Sequence, residues 1–210
     1  MRSGLIALAG ACHLSRLPSD PALAIAVDGG FDLLRRLGIT PEIFVGDCDS
    51  IADASLVQGI KIKHILPREK DVTDFDESLA VASRMGLDCA TVIGGLGGPR
   101  IDMVISNLEV ASRYAQQGLF IRFLEAEQQV ILVPEGEAVT LAGEGRLSVQ
   151  SLSDRSEVRI EGFRYSYAGE LSRTSSLGIS NEFEKTSGRL VCLRGCLMVT
   201  CGPEVAISRS

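Results

Sequence analysis

Two aspartates one residue apart, Asp47 and Asp49, close an apolar run in Val45-Gly46-Asp47-Cys48-Asp49-Ser50. Crowded carboxylates repel each other, and the usual reason for a chain to carry that cost is a hard cation held by oxygen. A second acidic cluster, Asp71-Val72-Thr73-Asp74, follows where a helix should begin, so Asp74 can supply a third oxygen ligand. Mg2+ needs few protein carboxylates and fills its remaining positions with water and phosphate oxygens. A third stretch, Gly94-Gly95-Leu96-Gly97-Gly98-Pro99-Arg100-Ile101-Asp102, offers backbone N–H groups to phosphate, with a helix N-terminus behind them. Pro99 suits a first helical turn, and Arg100 can clamp phosphate through paired donors. No Gly-Lys-Ser/Thr follows, so this is not a Walker loop. Each feature also has a plainer reading. Asp-x-Asp serves as turn and cap residues, the glycine run as a tight turn, Arg100 as a solvated side chain, and Asp28-Gly29-Gly30 as an ordinary turn. The only histidines, His13 and His64, belong to no cluster, which argues against covalent catalysis. Metal-assisted transfer by positioning and charge neutralisation fits better.

Positioning these loops requires a sheet. Strands are expected at 5–9, at 22–27 (apolar on both faces, hence buried), up to Asp47, at 90–93 and at 120–124. Residues 60–66 alternate apolar and basic, as a strand near a sheet edge does, and 51–58 read as a loop or short helix. Helices are expected at 31–38, from Thr73 to about Met85, and at 101–117. Thr73 is the expected N-cap of the second, with Asp76 three residues on and Leu79, Ala80 and Ala82 facing inward. In the third, Val104, Ile105, Leu108 and Ala111 form the expected packing stripe. Strands alternating with helices indicate an open, mostly parallel α/β sheet with flanking helices, which binds ligands beyond the carboxyl ends of its strands. The loops at Asp28, Asp47, Asp71 and Gly94 all fall on that edge, and their coincidence favours the functional reading over four separate turns.

The texture changes near residue 126. Short strands separated by turn signals such as Pro134-Glu135-Gly136-Glu137 suggest a small all-β sandwich or barrel, giving an α/β domain at 1–126 and a β domain at 127–210. Hydrophobic content of 45% and charged content of 23% are those of a globular chain. A net charge of −6 argues against a nucleic-acid partner but not against a nucleotide whose charge a cation offsets. No apolar run reaches membrane-spanning length, and the N-terminal one reads as a buried strand rather than a signal peptide. Six cysteines without a C-x-x-C pair read as reduced thiols in a cytoplasmic protein, and Cys192, Cys196 and Cys201 lack the spacing of a zinc site.

With these residues assembled, the chain resembles the thiamine pyrophosphokinase family. The resemblance rests on Asp28-Gly29-Gly30, Gly38-Ile39-Thr40-Pro41, Val45 to Ser50, Lys70 to Asp74, Gly97-Gly98-(Pro99)-Arg100-Ile101-Asp102 with Asn107, and Gly178-Ile179-Ser180-Asn181-Glu182, in the family's order across nearly the whole chain. It implies transfer of a pyrophosphoryl group from ATP to the hydroxyl of thiamine, giving thiamine diphosphate and AMP, by a homodimer with active sites between subunits. It implies that Asp47, Asp49 and Asp74 hold Mg2+, and that Asp28, Gly29, Gly30, Asp71, Thr73, Gly97, Gly98 and Arg100 meet ATP. Asp102 would orient the hydroxyl and accept its proton. Asn107, Ser180 and Asn181 would contact thiamine. The chain departs from the family pattern in the inserted Pro99, in Met103 where His is common, in Cys48 for a usual Phe, and in having no Trp. Tyr165, in the region where many members place a Trp against thiamine, is the expected substitute. These departures keep two alternatives open: a pyrophosphokinase for another heterocyclic alcohol such as a hydroxymethylpterin, and a non-catalytic nucleotide- or thiamine-binding regulator. A metal-dependent phosphatase is a third.

Overall fold

A computed structural model describes residues 2–18, 21–48, 51–69 and 71–209. Its internal contacts divide the chain into two units, Met1–Tyr114 with Ile121–Ala126, and Ala115–Phe120 with Glu127–Ser210.

In the first unit six strands lie in the order β6-β5-β1-β2-β3-β4, where β1 is Ser3–Ala7, β2 Ala24–Val27, β3 Ile43–Gly46, β4 Ile62–Ile65, β5 Cys89–Ile93 and β6 Phe120–Leu124. The strands β5, β1, β2, β3 and β4 run parallel, with Ile6 registered against both Ile25 and Val92. Every residue of β2 and β3 is buried, as central parallel strands covered on both faces require. The outer strand β4 leaves Ile62 and Ile65 exposed and interleaves Lys63, the charged edge anticipated from its alternation. Helix α1 is Gly30–Arg36, α2 Asp74–Arg84 and α3 Ile101–Gln116, and a short 3-10 helix spans Ala54–Gly59.

The hydroxyl of Thr73 accepts a hydrogen bond from Asp76 N–H at 3.2 Å, capping α2 as its sequence predicts. Asp74, Asp76 and Glu77 in the first turn and Arg84 in the last suit the helix dipole. Leu79 and Ala82 are buried, but Val81 rather than Ala80 completes the inward face. The expected stripe on α3 needs a larger correction. Ile105 is 54% exposed, and the buried positions are Asn107, Ala111, Ser112, Tyr114 and Ala115. Polar residues occupy this face because their side chains have partners there: Asn107 donates to Gly95 O at 2.9 Å, and Tyr114 OH bonds the Asp76 carboxylate at 2.8 Å.

Apart from the last two residues of α3, the regular elements of the second unit are strands. One antiparallel set runs β12-β9-β14-β7 and another β11-β10-β13-β8-β15. Here β7 is Gln129–Pro134, β8 Ala138–Ala142, β9 Arg146–Ser151, β10 Arg155–Glu161, β11 Tyr167–Ser172, β12 Asn181–Glu182, β13 Ser187–Arg194, β14 Cys196–Cys201 and β15 Ala206–Arg209. Both sets contribute to one apolar core, in which Val149 and Val199 meet Val158, Leu190 and Phe163. Strands β11, β12 and β15 give no alternating apolar signal, since only Leu171 and Asn181 among their residues are buried. None of the six cysteines is in a disulfide.

Candidate active site

The chain runs β1, β2, β3, β4 in one direction and then returns to place β5 on the other side of β1. Such a reversal leaves a crevice beyond the carboxyl ends of the strands, where open α/β sheets bind ligands. A cavity of about 410 Å3 lies there, lined by the loop after β1 (Leu8 to Ala11), by Val27 and Asp28, by Thr73 to Phe75, by the glycine loop, and by Met103, Val104 and Asn107 of α3. Its size suits a small-molecule site.

The floor of the site depends on close backbone approaches. A Cβ at Gly30 would stand 1.9 Å from Ala7 O, so only glycine lets α1 start against β1. A Cβ at Gly46 would stand 2.0 Å from Asp28 Oδ1, so glycine there admits the Asp28 carboxyl beside β3. The loops after β1 and β5 meet through Leu8 N–H to Ile93 O at 2.9 Å and Gly10 N–H to Gly94 O at 3.1 Å. Gly10 and Gly97 could bear no Cβ there without striking the facing carbonyls of Gly94 and Ala11.

Acidic groups gather on one side of this cavity. Asp28, at a positive φ of 44° after β2, accepts from Cys48 N–H at 3.2 Å and shares a hydrogen bond with the Asp74 carboxyl, while the charge of Asp47 acts on it as well. Burial, the Asp74 charge and the shared bond push the Asp28 carboxyl up to about 7, only partly offset by the Cys48 N–H. Crowded carboxyls of this kind suit a hard cation, which would replace the retained proton as counter-charge. Asp49 lies outside the described residues, and among those described no three ligating side chains close on one point.

The lining also holds Arg100, whose Nε and Nη2 donate to the Asp102 carboxylate at 2.9 and 2.6 Å. Both side chains are exposed, and the guanidinium holds the Asp102 carboxyl below the usual carboxylate range. Arg100 lines the cavity with Pro99, whereas Asp102 faces Arg100 and is not among the lining residues. Gly97 and Gly98 line it; Gly29, Gly30 and the exposed Asp71 do not. Asn107 lines it too, with its amide fixed on Gly95 O.

The residues expected to meet an acceptor divide between the units, Asn107 in the first and Tyr165, Ser180 and Asn181 in the second. Asn181 is buried, and its side chain clamps Tyr165, accepting from Tyr165 N–H at 3.0 Å and donating to Tyr165 O at 2.8 Å. Tyr165 itself is 59% exposed, with the Arg164 guanidinium 5.6 Å from its ring centre. Ser180 adopts φ 59°, donates its N–H to Ser148 Oγ at 3.1 Å, and lines a shallow cavity of about 340 Å3 with Glu127, Arg146 and Thr200. One part of the cavity lining had no sequence signal. Gly10 and Ala11 after β1 carry too little local pattern to stand out.

The family model for the thiamin pyrophosphokinase catalytic domain matches residues 14–123. Among solved structures, thiamine pyrophosphokinase from Bacillus subtilis superposes with a TM-score of 0.80 at 23% identity, covering 96% of this chain and 99% of that one. The Geobacillus thermodenitrificans enzyme gives 0.76 at 25% identity, with 96% and 97% covered. That from Candida albicans gives 0.72 at 14% identity, with 94% and 89% covered. No curated protein sequence matches.

Proposed function

Because the chain belongs to the thiamin pyrophosphokinase family and is a diphosphokinase of that kind, we propose that it transfers the pyrophosphoryl group of ATP to the hydroxyl of thiamine, releasing AMP. The observation that carries this is the paired carboxyls of Asp28 and Asp74 in the lining of a cavity that the glycine loop and Arg100 also line. An anionic chain of phosphates needs both a counter-cation and donors; the carboxyls can hold the first, and the glycine loop and Arg100 offer the second.

In this reading Asp47, Asp49 and Asp74 hold Mg2+, with the Asp28 carboxyl beside them. When bound, Mg2+ neutralises phosphate oxygens and fixes their orientation. Gly97 and Gly98 let the phosphates approach the backbone closely, and Thr73 holds the start of α2 so that Asp74 faces the cavity. Arg100 exchanges Asp102 for phosphate oxygens when the nucleotide enters. Asp102, released from that pair, regains basicity and orients the acceptor hydroxyl. Tyr165, steadied by Asn181, offers its ring to thiamine, with Ser180 on the neighbouring loop. We further propose a β-sandwich arrangement for the second unit and a homodimer that completes each site. The exposed Ile101 and Ile105 on α3 and the exposed Leu177 and Ile179 support an interface.

Incubation with ATP, Mg2+ and thiamine, followed by chromatography, tests the reading. Equal amounts of AMP and thiamine diphosphate support it. Turnover with a hydroxymethylpterin but not thiamine would reassign the acceptor, and release of phosphate without any acceptor would replace the transferase by a hydrolase.

A further inference from the structure

The start of α2 supplies three lining residues of the cavity, Thr73, Asp74 and Phe75. Asp76, the next residue, does not line it and turns its carboxylate to α3 instead. Arg113 Nη2 donates to both Asp76 carboxylate oxygens at 2.6 Å. Tyr114 OH donates to Oδ1 at 2.8 Å and to the Asp76 backbone carbonyl at 3.2 Å. The Asp76 N–H is bound to the Thr73 hydroxyl. Amide, carbonyl and carboxylate of one residue are thus all engaged, the last two by α3. The Asp76 side chain is only 13% exposed, so these bonds are made largely out of water, where a charge-assisted bond is strong and a lost one costly. Burial and the Asp76 carboxylate hold the Tyr114 hydroxyl above its ordinary value, which keeps it a donor.

Helix α3 reaches the cavity as well. Asn107, Ala111 and Tyr114 recur at helical spacing on its buried face. Asn107 holds Gly95 O at 2.9 Å, and Tyr114, two turns and about 10 Å further along the axis, holds α2. One helix face therefore ties the glycine loop to the element that carries Asp74. Asp28 and Asp74 are crowded carboxyls that repel, so a segment carrying one of them has to be held. We infer that Asp76 is a positioning residue: braced by Arg113 and Tyr114, it fixes the start of α2 on α3 and so sets Asp74 relative to the glycine loop. The brace acts through Asp74, so it governs the metal requirement and leaves the acceptor side alone.

The inference rests on the proposed metal role of Asp74 only for its kinetic arm; hydrogen exchange in the ligand-free protein tests it without substrate or metal. Arg113→Ala and Tyr114→Phe each remove one arm of the brace. Each should speed exchange of the Asp76, Glu77 and Ser78 amides about fivefold and leave β2 and β3 protected. Each should also raise the Mg2+ concentration for half-maximal rate about fivefold, with KM for thiamine held within about twofold. Arg113→Lys should recover part of both effects by restoring a charged donor. In an Asp76→Asn background, Arg113→Ala should add less than about twofold to either effect, since its partner is already weakened. Full additivity would overturn the inference, because Arg113 would then act elsewhere. Unchanged exchange at the three amides would overturn it too, as would faster exchange throughout the first unit, which marks a merely structural role. An equal rise in KM for thiamine and in the Mg2+ requirement would overturn the link to Asp74. If the wild-type protein turned over no nucleotide, the proposed function would fail, and the exchange result would still decide on the brace.

Discussion

A carboxyl that keeps its proton near neutrality, as Asp28 does, links metal, pH and stability. Its folded-state value is raised from 3.8 to about 7. The folded protein therefore holds this proton more tightly than the unfolded chain. The stabilisation is fully present below the unfolded value and is lost as pH rises through the folded one. Metal-free protein should melt at progressively lower temperature between pH 4 and pH 7, in about that range, and Mg2+ should oppose the loss at the upper end. A melting temperature in chelator that is flat across the range would refute the crowding of Asp28 with Asp74. In the same cluster, Asp74→Asn should lower kcat by about 100-fold or more and raise the Mg2+ concentration needed for half-maximal rate. Asn181→Ala should act elsewhere: with the Tyr165 backbone unclamped, KM for thiamine should rise several-fold while KM for ATP stays unchanged. Equal changes in both constants would show that Asn181 supports the fold rather than the acceptor side.

Among the elements, glycines placed at strand ends decide whether the loops can meet. Gly30→Ala would drive a methyl group into the backbone of β1. It should cost about 1–3 kcal/mol, read as a lower denaturation midpoint. A neutral result would mean that α1 moves freely against β1. Thr73→Ala removes a cap and should cost about 1 kcal/mol. Much of this level was legible beforehand. The acidic and glycine-rich loops sit at strand ends because the apolar runs before them are unbroken, and the Thr73 cap follows from local chemistry alone. The buried face of α3 was not legible. Ile105 outranks Asn107 on hydropathy, and only the position of Gly95 O, set by a strand elsewhere, makes the amide the better buried group. Strand β11 escaped for a related reason: Tyr167, Ala168, Gly169 and Glu170 pair with β10 through backbone, which leaves no period in the side chains.

For the whole molecule, the residues proposed to meet the acceptor fall in two units, and a dimer is the arrangement proposed to complete the site. Light scattering should give twice the 22.4 kDa chain mass. A monomer with full activity would remove the shared site. The central claim is the transfer itself, and the position of label reports it most directly. Supplied separately with ATP labelled at the α or the γ phosphorus, the protein should place γ label in thiamine diphosphate and leave α label in AMP, in both cases only when thiamine and Mg2+ are present. Appearance of ADP with singly phosphorylated thiamine, or of γ label in free phosphate at the same rate without thiamine, would contradict the account.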